Sequence, residues 1–405
     1  MTDIGHLWYP YTQMKHMKAP FHVTGADGVY MHTDRGDLID STSSWWCMIY
    51  GYRNEEICRA MAEQAMKLPH VMMANVVHDG ARDFSDRLAE ILPGTLNHVF
   101  FSDSGSVSVE IALKMGYQYF VNQKKPRKKI LSLKNAYHGD TFMAMSVGDD
   151  EDFHGAFPKN PDVTHIPVTI EALEDAFRKE GEQYCSMIVE PLLQGAGGMK
   201  MYDASFLKRA RELCDEYGVI LIYDEVATGF GRTGHRFAAD LVCPDIICLG
   251  KALTGGHIGH AATVANDRVY SGFWSDSRSD AFMHGPTFMA NPIAMAAGLK
   301  SLEIFEREHT LEKIKNIERI VKRELEGFHP EGVKETRAMG SAFAIEAENP
   351  ADLAGFQDFA AENGVFARPF LDVQYGMLPS IITEEQIKQV IDVMKAWWTD
   401  RRNRG

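Results

Sequence analysis

The sequence predicts an α/β fold: a large domain whose mostly parallel sheet is flanked by helices, plus a small α+β domain built from both chain ends. Three observations lead there. Between residues 51 and 297, short apolar runs of strand length alternate with helical stretches, the signature of βαβ units and a sheet covered on both faces. From about residue 298 the texture changes to long, charged, amphipathic helices. Residues 1–50 hold only short strand-like pieces and turns, too few to form a core alone. The expected division is therefore 1–50 and 298–405 for the small domain, and 51–297 for the large one.

The elements follow in order. Residues 1–50 end in an unusual cluster, Ser41-Thr-Ser-Ser-Trp-Trp46. Stretches 55–68 and 83–92 read as amphipathic helices, 99–101 as a strand and 107–121 as a helix. A strand is expected at 129–133, a helix at 170–178 and a strand at 187–189. The helix at 206–217 stops at Gly218, as helix C-termini often do. Strands follow at 219–223, 246–249 and 262–264, and an apolar helix at 291–299. In the last third, Leu311, Ile314, Ile317, Val321 and Leu325 mark one helix face. Strand-like segments lie near 342–345 and 365–367, with a helix between them. Thr383 with Gln386 forms a capping-box pattern for a final helix, whose apolar face is Ile387, Val390, Ile391, Met394 and Trp398. The tail at 401–404 reads as a frayed end.

Bulk composition removes several function classes. The chain has 405 residues, 45% hydrophobic and 24% charged, which is ordinary for a globular protein of two domains. A net charge of −14 argues against nucleic acid or an anionic membrane surface as the main partner. No apolar run approaches the ~18 residues of a membrane span, and the first residues lack a basic, then apolar, leader. A cytoplasmic protein is expected. Six scattered cysteines form no CxxC pair, and the 16 histidines contain no HExxH, so neither a disulfide framework nor a metal site is expected.

Lys251 and Asp224 are the residues that most suggest chemistry. Each ends a short apolar strand, and Lys251 is followed by Ala-Leu-Thr-Gly-Gly256. Pyridoxal phosphate needs an amine for a Schiff base and a carboxylate to keep its ring nitrogen protonated. Asp103-Ser-Gly-Ser106 precedes a helix, where exposed N–H groups and a hydroxyl suit a phosphate or simply cap the helix. Tyr137 follows another strand and could stack on a ring or be a buried strand-end aromatic. Thr287 precedes a helix start and suits a phosphate or a cap. Arg368, beside Pro369 and Phe370, could clamp a carboxylate or pair with a structural acid. A literal GxGxxG at 229–234 keeps a nicotinamide oxidoreductase in view. Against it, Asp224 and Glu225 intervene between strand and glycines, and too few residues precede Pro244 for the required helix. Those glycines are expected to shape a loop beside the site.

Together these motifs resemble the class III, fold-type I pyridoxal-phosphate aminotransferases, over residues 7–385. The residues that carry the resemblance include Trp8-Tyr-Pro-Tyr-Thr12, Ser43-Ser-Trp-Trp46, Tyr137-His-Gly-Asp-Thr-Phe142, Glu190-Pro191, Gln194-Gly-Ala-Gly-Gly-Met199, His284-Gly-Pro-Thr-Phe-Met289 and Arg368-Pro-Phe370. Within the class, the chain is similar to the branch that converts 8-amino-7-oxononanoate to 7,8-diaminononanoate in biotin biosynthesis. The resemblance implies S-adenosylmethionine as amino donor, with lysine as the other choice. It also implies roles. Lys251 would hold the cofactor and move a proton, Asp224 would meet the ring nitrogen, and Tyr137 would lie against the ring. Gly105 and Ser106 would hold the phosphate in one subunit, and Pro286 and Thr287 would reach that of its neighbour, making a homodimer with shared active sites. Tyr11, Trp45 and Gly285 would line the substrate channel, and Arg368, with Tyr375 nearby, would bind the distant carboxylate. Relatives that use glutamate or ornithine typically carry a gating glutamate soon after Glu190-Pro191, whereas this chain has Gly195-Ala-Gly-Gly198. The family pattern weakens at His257-Ile-Gly-His260 and around 148–168. Another amine and ketone pair, as in ω-aminotransferases of the class, is the alternative reaction.

Overall fold

Apolar strands too short to bury themselves singly stack here into a seven-stranded sheet. The computed structural model describes residues 5–399, so the tail at 401–404 lies outside the described residues. Across the sheet the strands run His98–Ser102, Ala261–Ala265, Ile246–Leu249, Ile220–Asp224, Tyr184–Val189, Lys129–Leu133 and Val163–Ile166. All are parallel except Ala261–Ala265, which is antiparallel to both neighbours. Every residue of the three central strands is buried. Successive side chains in those strands point to opposite faces. Leu221, Tyr223, Ile247 and Leu249 enter one core with Phe84, Leu88 and Met295, from helices Asp79–Ile91 and Pro292–Arg307. Ile220, Ile222, Ile246 and Cys248 enter another with Val109, Ile111 and Leu113, from helix Gly105–Asn122.

The two chain ends meet in a separate sheet. Strands Val23–Asp27, Tyr30–Thr33 and Gly36–Asp40 form a meander, and Val365–Phe366 pairs parallel with its last strand, Val365 against Ile39 and Phe366 against Asp40. A three-stranded sheet of Val333–Met339, Ala342–Ala347 and Val373–Met377 lies beside it. Their shared core takes Val29 and Ile39 from the start of the chain and Phe343, Phe356, Val390 and Trp398 from its end. The passage from the large core to this one occurs within helix Thr310–Leu325, between Ile314 and Ile317. Helix Pro292–Arg307, which runs through residue 297, remains with the large core as far as Phe305.

The differences from the sequence pattern have local causes. Helix Asp79–Ile91 begins before 83 because the His78 side chain accepts from the Ala81 N–H, a cap for which sequence rules offer no signal. Helix Gly105–Asn122 begins earlier than 107 because Ser104 caps it. Val163–Ile166 is an edge strand with only its last residue buried, and Val333–Met339 is an edge strand rich in charge, so neither has an apolar run to betray it.

Candidate active site

Neighbouring strands of the large sheet end beside one another, and each delivers a group to the same cavity. Asp224 ends Ile220–Asp224 and pairs in register with Cys248, three residues before Lys251 on the adjacent strand. Glu190 follows Tyr184–Val189 on the other side of Asp224, and Tyr137 and His138 follow Lys129–Leu133 beyond it. The carboxyl ends of strands in an open α/β sheet are where such folds place ligands. The cavity they line has a volume of about 390 Å³.

Lys251 stands in the left-handed region at φ 46°. Such strain in a non-glycine residue is common at functional sites. Gly255 and Gly256 also have positive φ, and a Cβ on Gly256 would lie 2.6 Å from the Cys47 backbone. The Gly-Gly pair after the lysine is therefore what lets the tryptophan segment pack against this turn. Among the described residues no hydrogen bond or ion pair to the Lys251 amine is present, and its Nζ lies 4.9 Å from the centre of the Trp46 ring. Burial pushes its pKa down, opposed by the nearby Asp224 and Glu190 carboxylates. A lowered pKa favours the neutral, nucleophilic amine.

Asp224 is held from two sides. His138 Nδ1 lies 2.8 Å from its Oδ2, and the Val226 N–H donates to its Oδ1 at 3.1 Å. Glu190 is buried, and burial raises its pKa to about 7, although the N–H groups of Tyr137 and Gly195 each donate to one of its oxygens at 3.0 Å. At the far end of the cavity, helix Gly105–Asn122 opens with Gly105 and Ser106. A Cβ on Gly105 would meet Val226 Cγ1 at 2.7 Å, and one on Gly139 would collide with Ser106 Oγ. The backbone there must approach closely. A helix N-terminus with free N–H groups, a carboxylate and an amine thus face one cavity, matching the phosphate, ring nitrogen and aldehyde of pyridoxal phosphate in turn.

A second cavity of about 370 Å³ shares Lys251, Tyr137, Trp45 and Trp46 with the first. Its further lining includes Tyr11, Asp140, Phe153, Arg368 and Tyr375. Tyr11 donates to Asp140 at 2.6 Å, and its ring meets those of Trp45 and Phe153 edge-on. Arg368 lies over the face of Trp45, 4.9 Å from the ring centre, and no hydrogen bond or ion pair to its guanidinium is present among the described residues. Tyr375 is buried with its ring edge-on to Trp46.

The tryptophan segment has an exceptional backbone. Ser43, Ser44, Trp45 and Trp46 all have positive φ, from 48° to 74°. Such a left-handed turn costs about 1–2 kcal/mol per residue, so other contacts must impose it. Asp40 accepts from Thr42 N–H and hydroxyl, from Ser44 N–H and from the Tyr52 hydroxyl. From the other side, the wholly buried Arg232 donates to the Trp46 and Leu378 carbonyls at 3.0 and 2.7 Å. The glycines at 229–234 therefore deliver an arginine that clamps the tryptophan turn. Among the described residues no α-helix stands between them and strand Ile246–Leu249, only the 3₁₀ turn Ala238–Asp240, which removes the dinucleotide reading.

Gly285, Pro286 and Thr287 line neither cavity. Their segment is exposed, with Met283 and Phe288 open to solvent on either side. Several residues of the site receive no role from the sequence, Trp46, Glu190 and Arg232 among them. His138 and Asp140 are hidden within the motif that carries Tyr137, and Phe153 sits in the weakly patterned stretch after Gly148.

Comparison with known proteins fixes the family. The sequence pattern of "Aminotransferase class-III" matches residues 11–397. The chain is 36% identical to the adenosylmethionine-8-amino-7-oxononanoate aminotransferase of Buchnera aphidicola subsp. Schizaphis graminum, covering 97% of this chain and 95% of that one. It belongs to the class-III aminotransferases. Among solved structures, the adenosylmethionine-8-amino-7-oxononanoate aminotransferase of Methanocaldococcus jannaschii superposes with a TM-score of 0.92 at 33% identity, covering 97% of this chain and 96% of that one. A PLP-bound amine transaminase from an uncultivated Pseudomonas species gives 0.92 at 26% identity, covering 100% of both. This class-III enzyme is a pyridoxal-phosphate-dependent aminotransferase with the fold-type I architecture. No helix among its described residues is long and apolar enough to cross a membrane, and none of its described His, Cys, Asp or Glu residues cluster as a metal site.

Proposed function

We propose that this aminotransferase converts 8-amino-7-oxononanoate to 7,8-diaminononanoate, the activity named for its relatives, with S-adenosylmethionine as amino donor. The observation that carries this reading is Arg368: an arginine with no acidic partner among the described residues, lining an aromatic cavity that Lys251 also lines. A buried or half-buried guanidinium without an anion calls for one. An oxononanoate has an apolar chain to lie along Tyr11, Trp45 and Tyr375, with its carboxylate one chain length from the carbonyl that must be aminated.

When bound, the cofactor supplies an aldehyde to take the amino group and a protonated ring to absorb electrons. The chain's own residues would then take the following roles. Lys251 Nζ would hold the cofactor and, once released, would carry the proton on and off the substrate carbon. Asp224, oriented by His138, would face the ring nitrogen and favour its protonated form. Tyr137 would cover the ring, and Gly105 and Ser106 would receive the phosphate at the helix N-terminus. The stretch 195–198, where glutamate-using relatives typically carry a gating acid, contributes Ala196 to this lining, so Arg368 meets no glutamate from that stretch.

The exposed loop supports a homodimer. Trp274, Met283 and Phe288 are 77%, 77% and 55% exposed. A subunit interface would cover these side chains. In a second copy's site, Pro286 and Thr287 would reach the phosphate and Gly285 the substrate channel. The six free thiols fit a reducing, cytoplasmic setting.

The reaction is tested by incubating holoenzyme and 8-amino-7-oxononanoate with S-adenosylmethionine, lysine and simple amines in turn, and identifying the product by mass. Diaminononanoate from S-adenosylmethionine is expected. Amination of simple ketones without any of the oxononanoate would overturn the assignment in favour of an ω-aminotransferase.

A further inference from the structure

We infer that His154 is a positioning residue: it acts through Asp140 to fix the amine-facing end of the second cavity and to latch the N-terminal segment over it. This rests on reading that cavity as the substrate site.

Asp140 is a junction. Its Oδ2 accepts from the Tyr11 hydroxyl at 2.6 Å, and its Oδ1 lies 3.0 Å from both the Tyr137 hydroxyl and His154 Nε2. Its own N–H donates to Ser106 Oγ at 3.0 Å, tying it to the phosphate end of the first cavity. Burial would raise the Asp140 carboxyl, but hydrogen bonds from Tyr11, His154 and Tyr137 outweigh it and hold the group below the usual range. Tyr11, Tyr137 and Asp140 all line the second cavity, whereas His154 does not. The histidine stands behind the carboxylate, with its side chain 5% exposed and its ring nearly parallel to that of Tyr137, 5.8 Å between centres.

The turn that supplies His154 is built at a cost. Its Nδ1 is buried without a hydrogen-bond partner, and so is Oδ2 of Asp150, the residue that caps this turn. Each such atom forfeits the hydrogen bonds it would make to water. The His154 N–H donates to the Asp150 carbonyl, so both orphans sit in one short turn. The same turn presents Phe153 to the Tyr11 ring, 5.2 Å between centres. A surface turn with only a stabilising role would turn these groups to water.

The physical effect is a restraint on rotation. A carboxylate held only by two tyrosine hydroxyls at a cavity mouth can turn about its bond. An imidazole N–H fixing Oδ1 from behind removes that freedom. Tyr11 and Tyr137 then keep their hydroxyls on Asp140 and their ring faces toward the substrate. Asp140 is the acid lining this cavity, so the restraint acts on cationic amine substrates. Because Tyr11 lies in the N-terminal segment, it also holds that segment down.

The test uses His154→Leu and His154→Gln holoenzymes beside the wild type. The leucine variant should raise the KM for the amino donor about 10-fold, the loss of one hydrogen bond to a charged group, with a much smaller change in kcat. Glutamine, whose amide can donate from nearly the Nε2 position, should restore most of that loss. Cofactor affinity, from absorbance titration, should be unchanged in both. Combined with Asp140→Asn, His154→Leu should add much less than its own effect, since both break one unit. Without substrate, trypsin should cut after Lys15 or Lys18 several-fold faster in His154→Leu. An unchanged donor KM, additive effects with Asp140→Asn, no rescue by glutamine, or loss of cofactor affinity in step with KM would each overturn the assignment. If the wild type proves inactive on the oxononanoate, donor KM is read with whichever amine it deaminates, so the two readings fail separately.

Discussion

The two joined cavities are made in opposite ways. The cofactor half takes its groups from the ends of neighbouring buried strands, where Lys251, Asp224 and Glu190 are placed by the register of one sheet. The substrate half takes its groups from segments far apart in the chain: Tyr11, Trp45, Asp140 and Arg368. It is held by strain and polar clamps rather than by a ladder. On the proposed assignment, the cofactor chemistry would sit on the buried sheet, and specificity where distant pieces must be pinned together. This is the division expected of a family with one chemistry and many substrates.

Four changes would sharpen or break that contrast, the largest first. Lys251→Ala should abolish steady turnover, a loss of at least about 10⁴-fold, while the apoprotein melts no lower, because a buried amine without a hydrogen-bond partner has been removed. Calorimetry of the apoprotein checks the second part. Arg368→Ala should slow the half-reaction with the oxononanoate about 100-fold, from loss of a charge-assisted pair, and leave the donor half-reaction far less affected. Stopped-flow measurement of both halves decides it, and equal losses would contradict the assigned role.

Glu190 offers a pH test of the cofactor half. Its folded pKa, about 7, lies above the unfolded value of about 4.5. Its contribution is therefore most favourable below pH 4.5 and is lost as pH rises through 7. Relative to wild type, Glu190→Gln apoprotein should gain up to about 2–3 kcal/mol between pH 4.5 and 8. Denaturant titrations at the two pH values measure this directly, and a constant offset would remove the claim. The smallest effect belongs to the strained half. Ser44→Gly should stabilise the protein by at most about 1 kcal/mol, since glycine relieves the left-handed backbone but loosens the unfolded chain. A lower melting temperature would show that the turn is not strained.

Legibility in the sequence follows the same line. Asp224 and Lys251 could be read because each ends a strong apolar run, and the Gly-Gly after Lys251 marked a turn with unusual backbone. The βαβ alternation conveyed most of the large sheet, though not the reversed direction of Ala261–Ala265, which no local pattern encodes. The tryptophan turn could not be read as geometry. Four successive non-glycine residues at positive φ contradict local preference, and contacts distant in the chain, Arg232 and Met377 among them, impose it together with Asp40. Arg232 itself was masked by the glycines around it, which drew attention to phosphate loops. The Tyr11–Asp140 contact spans 129 residues of chain, beyond the reach of any spacing rule.

The central claim is that one buried amine, at position 251, carries the cofactor at the junction of the two cavities. Borohydride reduction of the holoenzyme, followed by proteolysis and mass mapping, tests it most directly. The account predicts a single pyridoxyl-modified peptide, with the added mass on Lys251. Modification of a different lysine, or a cofactor that stays unattached after reduction, would contradict it.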